Sequence, residues 1–137
     1  MYGRDYIWED ASLDDRSPYG RDQAGSALLA ATYKEDIKCM QLLIEAGADI
    51  EARDKWPYRT ALGYAVSAKN IEAIDLLLDN AANIDATSNL NWTPLVSSSV
   101  QDSLDVTKHL VSRGANTAVV DSGGSNILHN IIWQKFN

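Results

Sequence analysis

One spacing dominates this chain of 137 residues. Four short segments, Ser26-Ala27-Leu28-Leu29, Thr60-Ala61-Leu62-Gly63, Thr93-Pro94-Leu95-Val96 and Asn126-Ile127-Leu128-His129, follow one another at intervals of 34, 33 and 33 residues. A second marker keeps the same step: Gly47-Ala48-Asp49, Ala81-Ala82-Asn83 and Gly114-Ala115-Asn116. Between the two markers sits an apolar cluster, Leu42-Leu43-Ile44, then Leu76-Leu77-Leu78, then His109-Leu110-Val111. A fixed period of this size means stacked units, each too small to bury its own apolar face and dependent on its neighbours for a core.

The pieces within each unit have local physical roles. A Ser or Thr hydroxyl at the first marker accepts from the orphan N–H groups that open a helix. Pro94 fits the first helical position, where its missing N–H costs nothing. Leu28, Leu62, Leu95 and Leu128 are expected to point inward. Helical spacing recurs in a second helix: Ile37, Met40, Leu43 and Ile44; Ile71, Ile74, Leu77 and Leu78; Leu104, Val106, Leu110 and Val111. Gly47 and Gly114 then supply a left-handed stop. The spacing predicts helix pairs over 26–34 with 36–46, 60–68 with 70–80, and 93–101 with 103–113. Projecting hairpin loops are expected over 48–59, 82–92 and 115–125, the first with one extra residue near Trp56-Pro57-Tyr58.

With its period and order of markers, the chain resembles the ankyrin repeat family, whose unit is a β-turn followed by two antiparallel helices. The resemblance covers residues 21–137, as repeats at about 21–53, 54–87 and 88–120 and a partial one at 121–137. It implies a mainly α solenoid of helix-turn-helix units with projecting β-hairpin loops. Residues 1–20 read as an acidic arm or a degenerate half repeat. The family pattern is worn in places. Its Gly between the two helices is replaced by Glu35, Lys69 and Asp102, and its His after the Leu survives only as His129. Leu29, Gly63 and Val96 fill the other His slots, so modest stability is expected.

Composition narrows the function classes. The net charge is −7, with 19 acids against 12 bases, which disfavours general binding to nucleic acid. No apolar run is long enough to span a membrane, and the opening MYGRDYIWED lacks the layout of a secretory signal. A single cysteine, Cys39, rules out an internal disulfide framework and a multi-cysteine metal site. An intracellular setting, cytoplasmic or nuclear, is expected, with no cofactor and no metal.

Candidate chemistry is thin. Ser97-Ser98-Ser99 falls where small residues let inner helices approach closely, and has no G-x-S-x-G around it. Cys39 occupies an apolar second-helix slot and reads as core. His109, in a slot that is Leu in the two preceding repeats, reads as a neutral, hydrogen-bonded core His. The acids of the first 25 residues, six against three bases, read chiefly as solvated surface.

The resemblance implies a non-catalytic protein-interaction module working through its concave groove of hairpin tips and first helices. Residues that align with the family's contact positions are Trp56, Tyr58, Arg59, Asn89, Asn91 and Trp92 on the hairpins. Tyr33, Lys34 and Gln101 stand at the ends of first helices, and Trp133 on the last one. Trp, Tyr and Arg are also the side chains that dominate interface hot spots. The expected partner is another protein. Two alternatives stay open. The chain could be a structural piece of a larger array, self-associating through Ile131, Ile132, Trp133 and Phe136, which lack a covering second helix. Or the groove, with Tyr64, His129 and nearby acids, could hold a small ligand or carry catalysis.

Overall fold

The computed structural model describes residues 23–54, 58–88 and 91–119, with Gly124, Asn126, His129 and Trp133; side chains of the first helix are described from Ala27 onward. Six helices follow in chain order: α1 (Gln23–Tyr33), α2 (Ile37–Glu45), α3 (Ala61–Ser67), α4 (Ile71–Asp79), α5 (Pro94–Val100) and α6 (Leu104–Ser112). They pack as antiparallel pairs, α1 with α2, α3 with α4 and α5 with α6. The first helices α1, α3 and α5 stack into one layer, and α2 packs on α4 in a second.

Caps explain where most helices begin. Thr60 accepts from the Gly63 N–H, and Thr93 from the Val96 N–H, with Pro94 in the first turn. Asn126 accepts from the His129 N–H at 2.8 Å, so the fourth marker is bonded like the second and third. In the second helices, Asp36 accepts from Cys39 N–H and Asn70 from Ala73 N–H. The first marker departs from expectation. Helix α1 starts at Gln23, so Ser26 lies inside the helix and is not its cap. Gly25, directly before it, does not break the helix, and the Ser–Ala–Leu segment is carried into a longer one.

Left-handed residues punctuate each unit. Glu35, Lys69 and Asp102, the three replacements for the family Gly, sit at φ 60°, 57° and 61°. Gly47 and Gly114 end the second helices at φ 93° and 94°, and Ala81 takes the same slot at φ 69°. A Cβ at Gly47 or Gly114 would meet nothing within 4 Å, so the need for Gly there is purely conformational.

The core lies between the layers. Leu28, Leu62 and Leu95 are fully buried, as are Met40, Ile74, Leu77 and Leu110. The inner layer packs closely through small residues. Ala65 and Ser98 are wholly buried. The hydroxyls of Ser98 and Ser99 donate to the Leu95 carbonyl, so these two serines are packing, as their position predicted, while Ser97 is half-buried and lines a cleft.

Two second-helix positions read as core, Cys39 and His109, are not, and two of the apolar face, Leu104 and Val111, lie beside the buried stripe. Cys39 is exposed, one position before the buried Met40 and off its face. Leu104 and Val111 are 64% and 47% exposed. His109 is half-buried and reaches outward to the Asp75 carboxylate of the preceding repeat, at 2.6 Å. The slot it shares with Leu42 and Leu76 is not a core slot: Leu42 is 65% exposed. Outer helices bury a narrow stripe, and apolar residues beside it stay wet.

Among the described residues the projecting loops carry no strand, only turns and one bridging residue, Asn126. The first is closed by a backbone bond from Asp54 N–H to Arg59 C=O, and the second by one from Ser88 N–H to Trp92 C=O, with Asn91 N–H donating to Ser88 C=O inside it. The first closure spans one residue more than the second, which is the insertion predicted near Trp56. Loops are then tied to each other. The Asn83 N–H donates to Glu51 at 2.7 Å, and the Asn116 N–H donates to Asp85 at 2.9 Å. Outside the layers, Asp75 also pairs with Arg113 at 2.9 Å, and Arg113 with Asp79 at 2.9 Å.

Candidate interaction groove

Buried Asp54 organises the groove. It is 2% exposed, and its carboxylate accepts the Arg59 backbone N–H at 2.7 Å and the Tyr64 hydroxyl. A buried carboxylate is tolerable only with such partners. The two bonds fix the base of the first loop against the inner helix α3. Arg53, beside it, donates to the carbonyls of Tyr58 and Thr87, so it ties the first loop to the second. Its guanidinium also lies 5.7 Å from the Tyr58 ring centre.

Above this base lies a run of aromatic and cationic side chains. The Tyr33 and Tyr64 rings meet edge to face, 6.0 Å apart at 87°. The Arg59 guanidinium stands 5.6 Å from the Tyr64 ring centre. Tyr33 is 66% exposed and Tyr58 54% exposed, which leaves two large faces to solvent. The Arg59 stem passes beside Gly63: a Cβ there would stand 3.5 Å from the Arg59 Cβ and 3.6 Å from its Cγ, in ordinary contact. The slot that holds His in the family's pattern is filled in this repeat by the stem of Arg59.

Arg59 and Trp92 also line one cleft, between repeats two and three. With Gly63, Ser67, Thr87 and Ser97 they enclose about 20 Å³. That is room for one or two water-sized groups. The guanidinium reaches Ser67 Oγ at 3.5 Å.

Of the residues singled out in the sequence, the structure brings Tyr33, Tyr58, Arg59 and Trp92 to this region, Arg59 and Trp92 half-buried. Lys34, Asn91 and Gln101 are exposed. Asn91 carries a left-handed backbone at φ 59°, and Gln101 caps the end of α5. Trp133, 62% exposed, stacks on His129 at 6.3 Å, with no contact to the Arg59 cluster among the described residues. Trp56, Asn89, Ile131, Ile132 and Phe136 lie outside the described residues. Arg53 and Asp54 were not singled out in the sequence. The available signal was register: Asp54, Ser88 and Asp121 fall 34 and 33 residues apart, just before each cap.

Residues 21–129 match the family model of ankyrin repeats in three copies. The chain belongs to the ankyrin repeat family. It is 33% identical over 119 residues to an ankyrin repeat protein of Acanthamoeba polyphaga mimivirus, covering 86% of this chain and 15% of that one. It is 31% identical over 114 residues to the Arabidopsis thaliana E3 ubiquitin-protein ligase KEG, covering 82% and 7%. To the mouse neurogenic locus notch homolog protein 1 it is 34% identical over 128 residues, covering 91% and 5%. The chain thus spans 15% or less of the length of each of these relatives. Ankyrin repeats generally mediate protein–protein interaction, and this chain carries that scaffold. Among the described residues no helix is long and apolar enough to cross a membrane, and no three His, Cys, Asp or Glu side chains converge as a metal site.

Proposed function

We propose that this ankyrin repeat array is a non-catalytic module that binds a partner protein through its concave groove. One observation carries the reading. Tyr33 and Tyr58 expose most of their rings, while Tyr64, Arg59 and Arg53 hold a fixed stack beneath and beside them. Large rings already held in place lose little side-chain entropy on binding, which is why such residues anchor interfaces. Lys34, Asn91, Trp92 and Gln101 widen the same proposed surface, together with Trp56 and Asn89. The cleft beside Arg59 is small and open to solvent, which suits surface contact better than a reaction sheltered from water. The exposed free thiol of Cys39 supports a reducing intracellular compartment, cytosol or nucleus.

A photocrosslinking amino acid placed at Tyr33 or Tyr58 should yield adducts in cells. The same group at Lys38 or Lys108 on the outer layer should yield none. Adducts confined to the outer positions, or equal from both layers, would overturn the groove.

A further inference from the structure

The cleft beside Arg59 has a chemistry of its own. Among the described residues no carboxylate lies within ion-pairing distance of the Arg59 guanidinium. The nearby acid, Asp54, is engaged by the Arg59 backbone N–H and the Tyr64 hydroxyl instead. The one side-chain acceptor that the guanidinium reaches is Ser67 Oγ, at a long 3.5 Å. Most of its five donors therefore remain available. The Tyr64 ring lies against the guanidinium, 5.6 Å away at its centre, and the stem passes beside Gly63. A guanidinium fixed in this way has already lost much of the freedom that carboxylate binding would cost it.

The rest of the lining points the same way. Ser67, Thr87 and Ser97 bring hydroxyls to the cleft, and Trp92 brings an indole. The space of about 20 Å³ beside these side chains has room for one or two small polar groups, such as the oxygens of a carboxylate. The chain's net charge of −7 repels strongly acidic partners at long range, so a single local contact has to select the ligand.

We infer that Arg59, with Ser67 and Ser97, forms a subsite for one Asp or Glu side chain of a partner peptide. The flanking residues of that peptide are neutral or basic. This rests on the groove reading above and specifies what the groove recognises. The carboxylate takes two parallel hydrogen bonds from the guanidinium, the geometry for which Arg is better suited than Lys.

The test uses the full chain and phage-displayed random linear peptides. Peptides selected on the wild type should share one acidic position. Changing that acid to its amide in a synthetic peptide should weaken binding roughly tenfold, and so should Arg59→Gln in the protein. Both changes together should cost little more than either alone, because they remove the same contact. Circular dichroism checks that Arg59→Gln folds. As a readout with the wild-type protein, the Arg59 Nε–H resonance should move on adding the acidic peptide and stay on adding its amide twin. Selected peptides with no shared acid, additive losses, or an unmoved resonance would overturn the subsite. If binding falls for Tyr33→Ala with Tyr58→Ala but not for Arg59→Gln, the groove stands and the subsite fails. Failure to select any peptide, or binding indifferent to all three changes, removes both.

Discussion

Tyr64 donates its hydroxyl to the carboxylate of Asp54, joining the inner face of α3 to the base of the first projecting loop. Asp54 is 2% exposed, so its charge has no water to fall back on. The loop's second anchor, the Arg59 N–H, is on the same carboxylate. The placement of Arg59 and Tyr58 in the groove thus depends on one buried acid.

Removing the phenol should therefore cost more than an average surface change. Tyr64→Phe leaves the ring in place against Tyr33 and Arg59 and deletes only the donor. We expect a loss of about 1–3 kcal/mol in urea unfolding, the usual cost of under-satisfying a buried polar group. Asp54→Ala should cost at least as much, because two donors then lose their acceptor. A Tyr64→Phe protein with an unchanged midpoint would show that the bond adds nothing net.

Ala81 occupies a left-handed slot, φ 69°, that is Gly47 and Gly114 in the flanking repeats. Its side chain is exposed. Ala81→Gly should stabilise the array by about 1 kcal/mol, since Gly removes the clash between Cβ and backbone. Gly47→Ala and Gly114→Ala should lose a similar amount, although open space surrounds both. Melting temperatures of the three variants check the sign. A drop for Ala81→Gly would mean that flexibility gained by the unfolded chain outweighs the strain removed.

Much of this architecture was legible in the sequence because the repeat samples each rule several times. The caps at Thr60 and Thr93, the stops at Gly47 and Gly114, and the inward Leu28, Leu62 and Leu95 each obey a local rule in step with the period. The misreadings share one cause. Cys39 and His109 were assigned to the core, and Leu104 and Val111 to an apolar helical face, from spacing that marks a face but not the width of the stripe its neighbour covers. Ser26 failed for another reason: the helix starts at Gln23 and runs through Gly25, which does not break it. In the groove, the aromatic positions followed from register with the family. Asp54 did not, because its role depends on the Tyr64 hydroxyl ten residues later, a contact set by packing between loop and helix.

On the outer layer, Asp75 of α4 holds His109 and Arg113 of the next repeat, and Arg113 also reaches Asp79. The arrangement looks substantial, but its members are 32–64% exposed apart from His109, at 26%. Water and salt then screen the attraction. Arg113→Ala should cost no more than about 1 kcal/mol at low ionic strength, and less in molar salt. A larger loss that persists in high salt would mean that Arg113 contributes by packing its stem rather than by charge.

The second helices differ at their starts, and the difference leads to the last prediction. Asp36 caps α2 and Asn70 caps α4 through side-chain oxygens. Ser103 holds the same position before α6 and makes no such bond. Its hydroxyl is buried without a partner among the described residues. The Val106 N–H, matching the Cys39 and Ala73 N–H groups of the other repeats, therefore lacks the acceptor those groups have. Space is not the obstacle. A cavity of about 380 Å³, lined by Lys69, Ile71, Ser103, Leu104 and Asp105 among others, adjoins the site. Asparagine is the residue that already works in the neighbouring repeat, and it adds no charge beside Asp102 and Asp105. Ser103→Asn should therefore stabilise the protein by about 1 kcal/mol. Two measurements check it together: the urea midpoint should rise, and the Val106 amide should exchange more slowly with solvent. A raised midpoint without slower exchange would place the gain elsewhere than in the cap. An unchanged midpoint would mean that burying the larger amide offsets the bond it makes.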